Sequence, residues 1–292
     1  MIEIDPTVDF VCKMLLGNPA HSRLTIHFLN AVLRTESPIV EVEYFNPFIL
    51  QEFELDKLAI LDILACDDQG RHLNIEVQRT NPGGLPERLV YYAATQLVEQ
   101  IGEGEGYHLL RPSIGICLLN GKLFPNLADY HQQFRLRSSA GLELTNCLEI
   151  HTLELPKYTL RSDNQKVLDP LDQWMDFFCN AKGSTPEELR ARLSSPVFGE
   201  AIGVLEMISK TPEQRRYYDA RMKWERDEHT RVALAKAEVE RAVTEGKLDM
   251  IRLLQGLLAE SSPNPEAIRN MSLNELDAMI SELHARVKKQ NS

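Results

Sequence analysis

Asp62, Glu76 and Gln78 stand in two short runs flanked by apolar residues, Leu61-Asp62-Ile63 and Asn74-Ile75-Glu76-Val77-Gln78, on either side of Asp67-Asp68-Gln69-Gly70. In extended chain, successive side chains alternate between faces. If Leu61, Ile63, Ile75 and Val77 face a core, the three polar side chains share the other face. A three-residue loop, Asp68-Gln69-Gly70 with Gly70 left-handed, pairs Asp67 with Arg71. Counting outward then sets 66 against 72, 64 against 74 and 62 against 76. Two carboxylates on directly opposed residues, with Cβ atoms roughly 4.5–5.5 Å apart, repel unless something neutralises them. A hard divalent cation does so with oxygen ligands, a few waters and a substrate phosphate; Mg²⁺ is the expected ion, and Mn²⁺ or Ca²⁺ could substitute. Such a donor set suits phosphodiester hydrolysis. The other reading of the same hairpin is a surface turn carrying two solvated acids.

The flanking sequence predicts the scaffold for this hairpin. Asp5-Pro6-Thr7 has the form of a helix start, with Gly17 as its end. Ser22 to Leu33 carries Leu24, Phe28, Leu29, Val32 and Leu33 at helical spacing. Ile39 to Phe45 alternates as a strand and stops at Asn46-Pro47. Strand-like runs follow at 59–66 and 72–79, then a helix from Pro86 to Ile101, a buried strand from Pro112 to Leu119 and a last strand from Leu148 to Leu155. The order α, α, β, β, β, α, β, β predicts a mixed sheet of the α/β class flanked by helices, over residues 1–157. From 158 to 292 the pattern is helical throughout, with segments near 168–181, 185–194, 197–209, 212–245, 246–260 and 272–289. The stretch from Ala220 to Glu245 is rich in Lys, Arg, Glu and Ala. Its apolar residues Met222, Trp224, Val232, Leu234, Val239 and Val243 keep no steady heptad, which favours a solvated helix, with a homo-oligomer formed through the helical C-terminal region as the expected assembly.

Composition bounds the partners. The 292 residues are 43% hydrophobic, enough for a sizeable core. No window nears the ~18 apolar residues needed to span a bilayer, and the start Met1-Ile2-Glu3-Ile4 lacks the basic and apolar regions of a signal peptide, so a cytoplasmic protein without a membrane partner is expected. Cys12, Cys66, Cys117, Cys147 and Cys179 are scattered without a Cys-x-x-Cys pair, which argues against a disulfide framework or a zinc site. The net charge of −11, carried mostly by the first 160 residues, opposes simple electrostatic attraction to nucleic acid. Carboxylate-bound cations can invert the field locally.

Several residues in combination resemble the PD-(D/E)xK nuclease family transposases, also described as recombination-promoting nucleases. They are Asp5-Pro6 with Asp9-Phe10-x-x-Lys13 and Gly17, Phe28-Leu29-Asn30-Ala31-Val32-Leu33, Leu61-Asp62-Ile63, Asn74-Ile75-Glu76-Val77-Gln78, Arg88-x-x-Tyr91-Tyr92, and Tyr107. The resemblance covers nearly the whole chain. It implies a restriction-endonuclease-like core, Mg²⁺-dependent endonuclease cleavage of DNA, and a role in recombination or in defence against foreign DNA. Asp62 matches the first acid of the motif and Glu76 the second, with both expected to hold the metal. Gln78 stands where the motif has Lys. An amide can orient an attacking water but brings no positive charge, so another cation would have to supply it.

Asp9 and Lys13, four apart on one helix face, are either accessory to the site or an ordinary ion pair. Arg88 and Tyr91 are either contacts for phosphate and bases or plain helix residues. His108, His131 and His151 lack ligand spacing and read as structural, and Gly102-x-Gly104-x-Gly106 reads as a turn. A competing function is a catalytically inactive nuclease-fold protein that acts as a protein-interaction module through its acidic surface.

Overall fold

The computed structural model describes residues 1–46, 63–80, 83–159, 169–258 and 271–290. The chain forms two compact units, Met1–Met222 and Lys223–Ser292.

The first unit is built on a six-stranded mixed sheet in the order β1-β2-β3-β4-β6-β5. The strands are β1 (Val42–Tyr44), β2 (Ile63–Asp67), β3 (His72–Gln78), β4 (Ser113–Leu119), β5 (His131–Arg137) and β6 (Glu143–Glu154). β2 runs antiparallel to β1 and β3, whereas β3, β4 and β6 are mutually parallel. Helices α1 (Asp9–Leu16) and α2 (Ser22–Leu33) precede the sheet, and α3 (Leu85–Val98) links β3 to β4. After β6 come α4 (Pro170–Asn180), α5 (Pro186–Arg192), α6 (Val197–Lys210) and the 46-residue α7 (Pro212–Leu257).

Alternation divides the sheet cleanly. Ile63, Ala65, Leu73, Ile75, Ile114, Ile116, Leu118 and Leu153 face the larger core, which holds α1, α2, α4, α5 and α6. At its centre Trp174 packs on Phe28, Phe177, Phe178 and Phe198, and its indole N–H donates to Nδ1 of His27 at 2.9 Å. The opposite face offers Cys117, Leu119 and Ile150, which α3 covers with Leu85, Leu89 and Ala93. The Ser113 hydroxyl donates to the Ala93 carbonyl at 2.7 Å and fastens that helix to β4.

The β2–β3 turn has the geometry its residues dictate. Asp67 is buried, and its carboxylate accepts from the backbone N–H groups of Gln69 (2.9 Å) and Arg71 (3.0 Å) and from Arg71 Nε (2.6 Å). Gly70 takes φ +77°, and the pairing runs Cys66 with His72, Ala65 with Leu73, Leu64 with Asn74 and Ile63 with Ile75. This is the expected register. Asp62, and the expected strand residues 59–62, lie outside the described residues.

Three other elements depart from what their residue spacing predicts. Asp5 does not cap α1; it closes a turn before the helix by accepting from Thr7 N and Oγ1 at 2.9 and 2.6 Å. β1 is only three residues long, and Ile39 is instead held to α2 by the Asn30 amide, which bonds both its N–H and its C=O at 2.8 and 2.9 Å. β5 was not anticipated because His131-Gln132-Gln133-Phe134-Arg135-Leu136-Arg137 is polar enough to read as loop, as suits an edge strand.

The second unit contains the remainder of α7 and α8 (Leu273–Gln290), joined by a small core of Ile251, Leu254, Leu276 and Leu283 and by the Lys247–Asp277 ion pair at 2.5 Å. The break expected near 245 is absent, since α7 continues through Gly246. Its continuity reveals what the residues up to 243 did not: Val232, Val239, Val243, Met250, Leu253 and Leu257 are exposed with spacings of three, four or seven, along one helix face.

The turn generates a direct test. Replacing Gly70 with Ala forces a side chain into a left-handed conformation and should lower stability by about 1–2 kcal/mol, read as a lower urea midpoint at unchanged slope. An unchanged midpoint would mean that the turn does not hold the register.

Candidate functional site

Glu76 is the third residue from the end of the expected five-residue motif on β3, and in the parallel register it stands beside Cys117, with Gln78 beside Leu119. Both therefore face α3, on the side of the sheet away from the larger core. A carboxylate left there alone would be strongly disfavoured, because burial strips water from its charge. Glu76 is only 3% exposed, and two donors converge on its Oε1: Arg88 Nη2 at 2.6 Å and Gln78 Nε2 at 2.8 Å. Arg88 reaches it from the first turn of α3, and its guanidinium lies 6.0 Å from the centre of the Tyr92 ring.

The chain path explains the pairing. A helix that returns from the end of β3 to the start of β4 places its first turn over the end of β3, where Glu76 and Gln78 lie. That was legible in principle: any cation in the first turn of this helix had to fall near the second acid of the hairpin.

The expected accessory residues divide. Arg88 joins Glu76 and Gln78. Tyr91, three residues on, is 66% exposed and stacks edge-on with Tyr92 at 6.0 Å. Asp9 and Lys13 lie on α1, in the layer across the sheet. Arg221 from α7 grips the Asp9 carboxylate, with Nε at 2.8 Å and Nη2 closer. Lys13 is buried, and its stem packs at Gly17 beside Ile63. Among the described residues, no three His, Cys, Asp or Glu side chains gather as a metal cluster. The donors that Glu76 and Gln78 offer, carboxylate and amide oxygens, are those a hard cation takes.

The histidines were read as isolated, and two are not. His131 and His151 pair at 2.8 Å through Nε2 and Nδ1, and His151 Nε2 meets Glu149 Oε1 at 2.7 Å. With both imidazoles neutral, these contacts require each ring to carry its proton on Nε2, donating along the series towards the carboxylate. Burial first, and then the proximity of His151 and Arg34, lowers His131 to about 4. Burial would raise Glu149, but hydrogen bonds from His151, Gln133 and Arg135 outweigh it and bring the carboxyl down to about 2. This group lies on the larger-core face, away from Glu76, and ties the edge strand β5 to β6.

The Glu76–Arg88 pair makes a measurable claim. Arg88→Met keeps the aliphatic stem but strands a buried carboxylate, which should cost about 2 kcal/mol of stability in metal-free buffer. Adding Glu76→Gln should return most of it. A double variant no more stable than Arg88→Met alone would show that the pair is not the cause.

The model of the PD-(D/E)XK nuclease family transposase matches residues 6–235, which span α1, the whole sheet and the helices up to the middle of α7. No curated protein and no solved structure matches the chain. The six-stranded mixed sheet with flanking helices and a helical C-terminal region agrees with that fold. The chain belongs to the PD-(D/E)XK nuclease family transposases.

Proposed function

We propose that the protein is a divalent-metal-dependent DNA endonuclease, with Asp62 and Glu76 holding the cation and Gln78 orienting the attacking water. The observation that carries this reading is the β2–β3 register. Ile63 pairs with Ile75, so continuing the ladder by one residue would set 62 against 76 on the α3 face, where Glu76 is already buried beside Gln78. When bound there, Mg²⁺ or Mn²⁺ supplies charge neutralisation of the scissile phosphate and acidification of a water.

The chain's own residues account for the rest. Glu76 brings fixed negative charge to a nearly dry position. Gln78 donates its N–H to Glu76, which leaves its amide oxygen to accept from water. Arg88 supplies the positive charge that Gln78, in the Lys position of the motif, does not. While Glu76 has no metal, the guanidinium compensates it; with a phosphate present it can turn to the developing charge of the transition state. The net charge of −11 then disfavours indiscriminate DNA binding and puts the burden of attraction on this site. We assign the activity to recombination or defence against foreign DNA, in the cytoplasm. The exposed heptad-spaced face of α7 suits pairing with a second copy of the chain.

A second reading is favoured by one observation: Arg88 already pairs with Glu76, as it would in a nuclease fold kept only as a protein-interaction module. Supercoiled plasmid with Mg²⁺ or Mn²⁺ separates the two. Wild type should nick it, Asp62→Ala and Glu76→Gln should fall by about 100-fold or more, and Gln78→Ala by less, on the scale of single electrostatic groups in active sites. No cleavage by wild type favours the interaction module, and equal cleavage by both carboxylate variants removes the site from the reaction.

A further inference from the structure

The Asp5-Pro6-Thr7 turn is unused by the proposed chemistry, and it forms one wall of a cavity of about 400 Å³ at the carboxyl ends of β4 and β6. The opposite walls are Asn120, directly after β4, Tyr158, shortly after β6, and Phe178 and Lys182 from α4 and the residues after it. In parallel sheets this rim, just past the strand ends, is where ligands sit. The volume suits a small planar ligand.

The chemistry of the walls is mixed in a specific way. Tyr158 and Phe178 offer aromatic surface. Tyr158 is half-buried, and burial together with the nearby carboxylates of Asp176 and Asp172 raises its phenol well above its usual range, so its O–H stays protonated as a hydrogen-bond group. Asn120 is exposed at the end of β4 and carries an amide able both to donate and to accept. Lys182 is half-exposed at the mouth, 3.9 Å from Asp5. Asp5 also pairs with Arg79 at 3.4 Å, and Arg79 follows Gln78 directly in the chain. Asn120 N donates to the Gln78 carbonyl at 2.8 Å. The cavity therefore begins one residue beyond the motif strand, on the face of the sheet opposite Glu76.

We infer that this cavity binds one unpaired nucleotide of the DNA substrate, its base against Tyr158 and Phe178, its edge read by Asn120 and its phosphate near Lys182. The inference rests on the DNA-cleaving reading and names the form of DNA preferred: duplex with a single-stranded tail or an extrahelical base. A base in a paired stack could not enter. Stacking on an aromatic side chain tolerates any base, so the preference should be for strandedness more than for sequence.

Fluorescence anisotropy in EDTA tests it without cleavage, using one labelled hairpin duplex that is fully paired and the same hairpin with a three-nucleotide tail. Wild type should bind the tailed form about tenfold more tightly, the scale of one base stacked on an aromatic ring. Tyr158→Ala and Asn120→Ala should each erase most of that preference, bringing tailed-hairpin affinity down to that of the paired hairpin, and Tyr158→Phe should keep it. The Asn120 variant, at an exposed position, guards against a folding defect in Tyr158→Ala. Plasmid cleavage by wild type without any tail preference, or a preference intact in both alanine variants, overturns the cavity assignment alone. Failure to bind either oligonucleotide overturns it together with the DNA-cleaving reading.

Discussion

The site depends on how a carboxylate is tolerated inside a sheet. Glu76 sits on a central strand, covered by a helix, where an isolated charge would be neutralised by protonation or expelled. Arg88 prevents both by placing a guanidinium 2.6 Å from Oε1, and Gln78 adds a second donor to the same atom. The negative charge is thus stored where water is scarce and where a cation gains most from meeting it. In the proposed function Arg88 has two partners, Glu76 and an incoming phosphate, and binding of a cation is what shifts it from one to the other.

The division of the sheet into two unlike faces makes this possible. One face is given over to the aromatic core around Trp174, which α1, α2, α4 and α6 complete. Among the described residues the other is covered by α3, with a small apolar cluster around Leu85, Leu89 and Ala93. Glu76 can survive beneath α3 because the first turn of that helix brings its own cation. Asp9 lies on the other side of the sheet and is bonded to Arg221 of α7, which ties the start of α1 to the helix that leads out of the first unit.

The local physics of the hairpin was legible in the sequence. Asp67 through Arg71 contains the residues the turn needs, an acid to collect N–H groups and a glycine for the positive φ, so a register could be counted and the structure has it through Ile63 with Ile75. The helices were legible from their apolar spacing, and β4 from its unbroken apolar run. What escaped was whatever depends on distant partners. β5 alternates only weakly because, as an edge strand, it buries little. The His131–His151–Glu149 chain unites residues up to twenty apart that have no ligand spacing. Asp9 found Arg221 more than two hundred positions away, where no helix-face rule could reach. The heptad face of α7 was hidden by a break assumed at Gly246; a single glycine costs a helix only about 1 kcal/mol, and 46 residues absorb it.

The central claim is that one divalent cation lies between the carboxylates of Asp62 and Glu76. Anomalous diffraction from crystals soaked in Mn²⁺ tests it most directly. The account predicts a single peak touching an oxygen of each carboxylate, at roughly 2.0–2.3 Å, on the α3 side of the sheet, with the Arg88 guanidinium turned from Glu76. A Mn²⁺ peak away from Glu76, or Asp62 found on the opposite face beside α1, would contradict it.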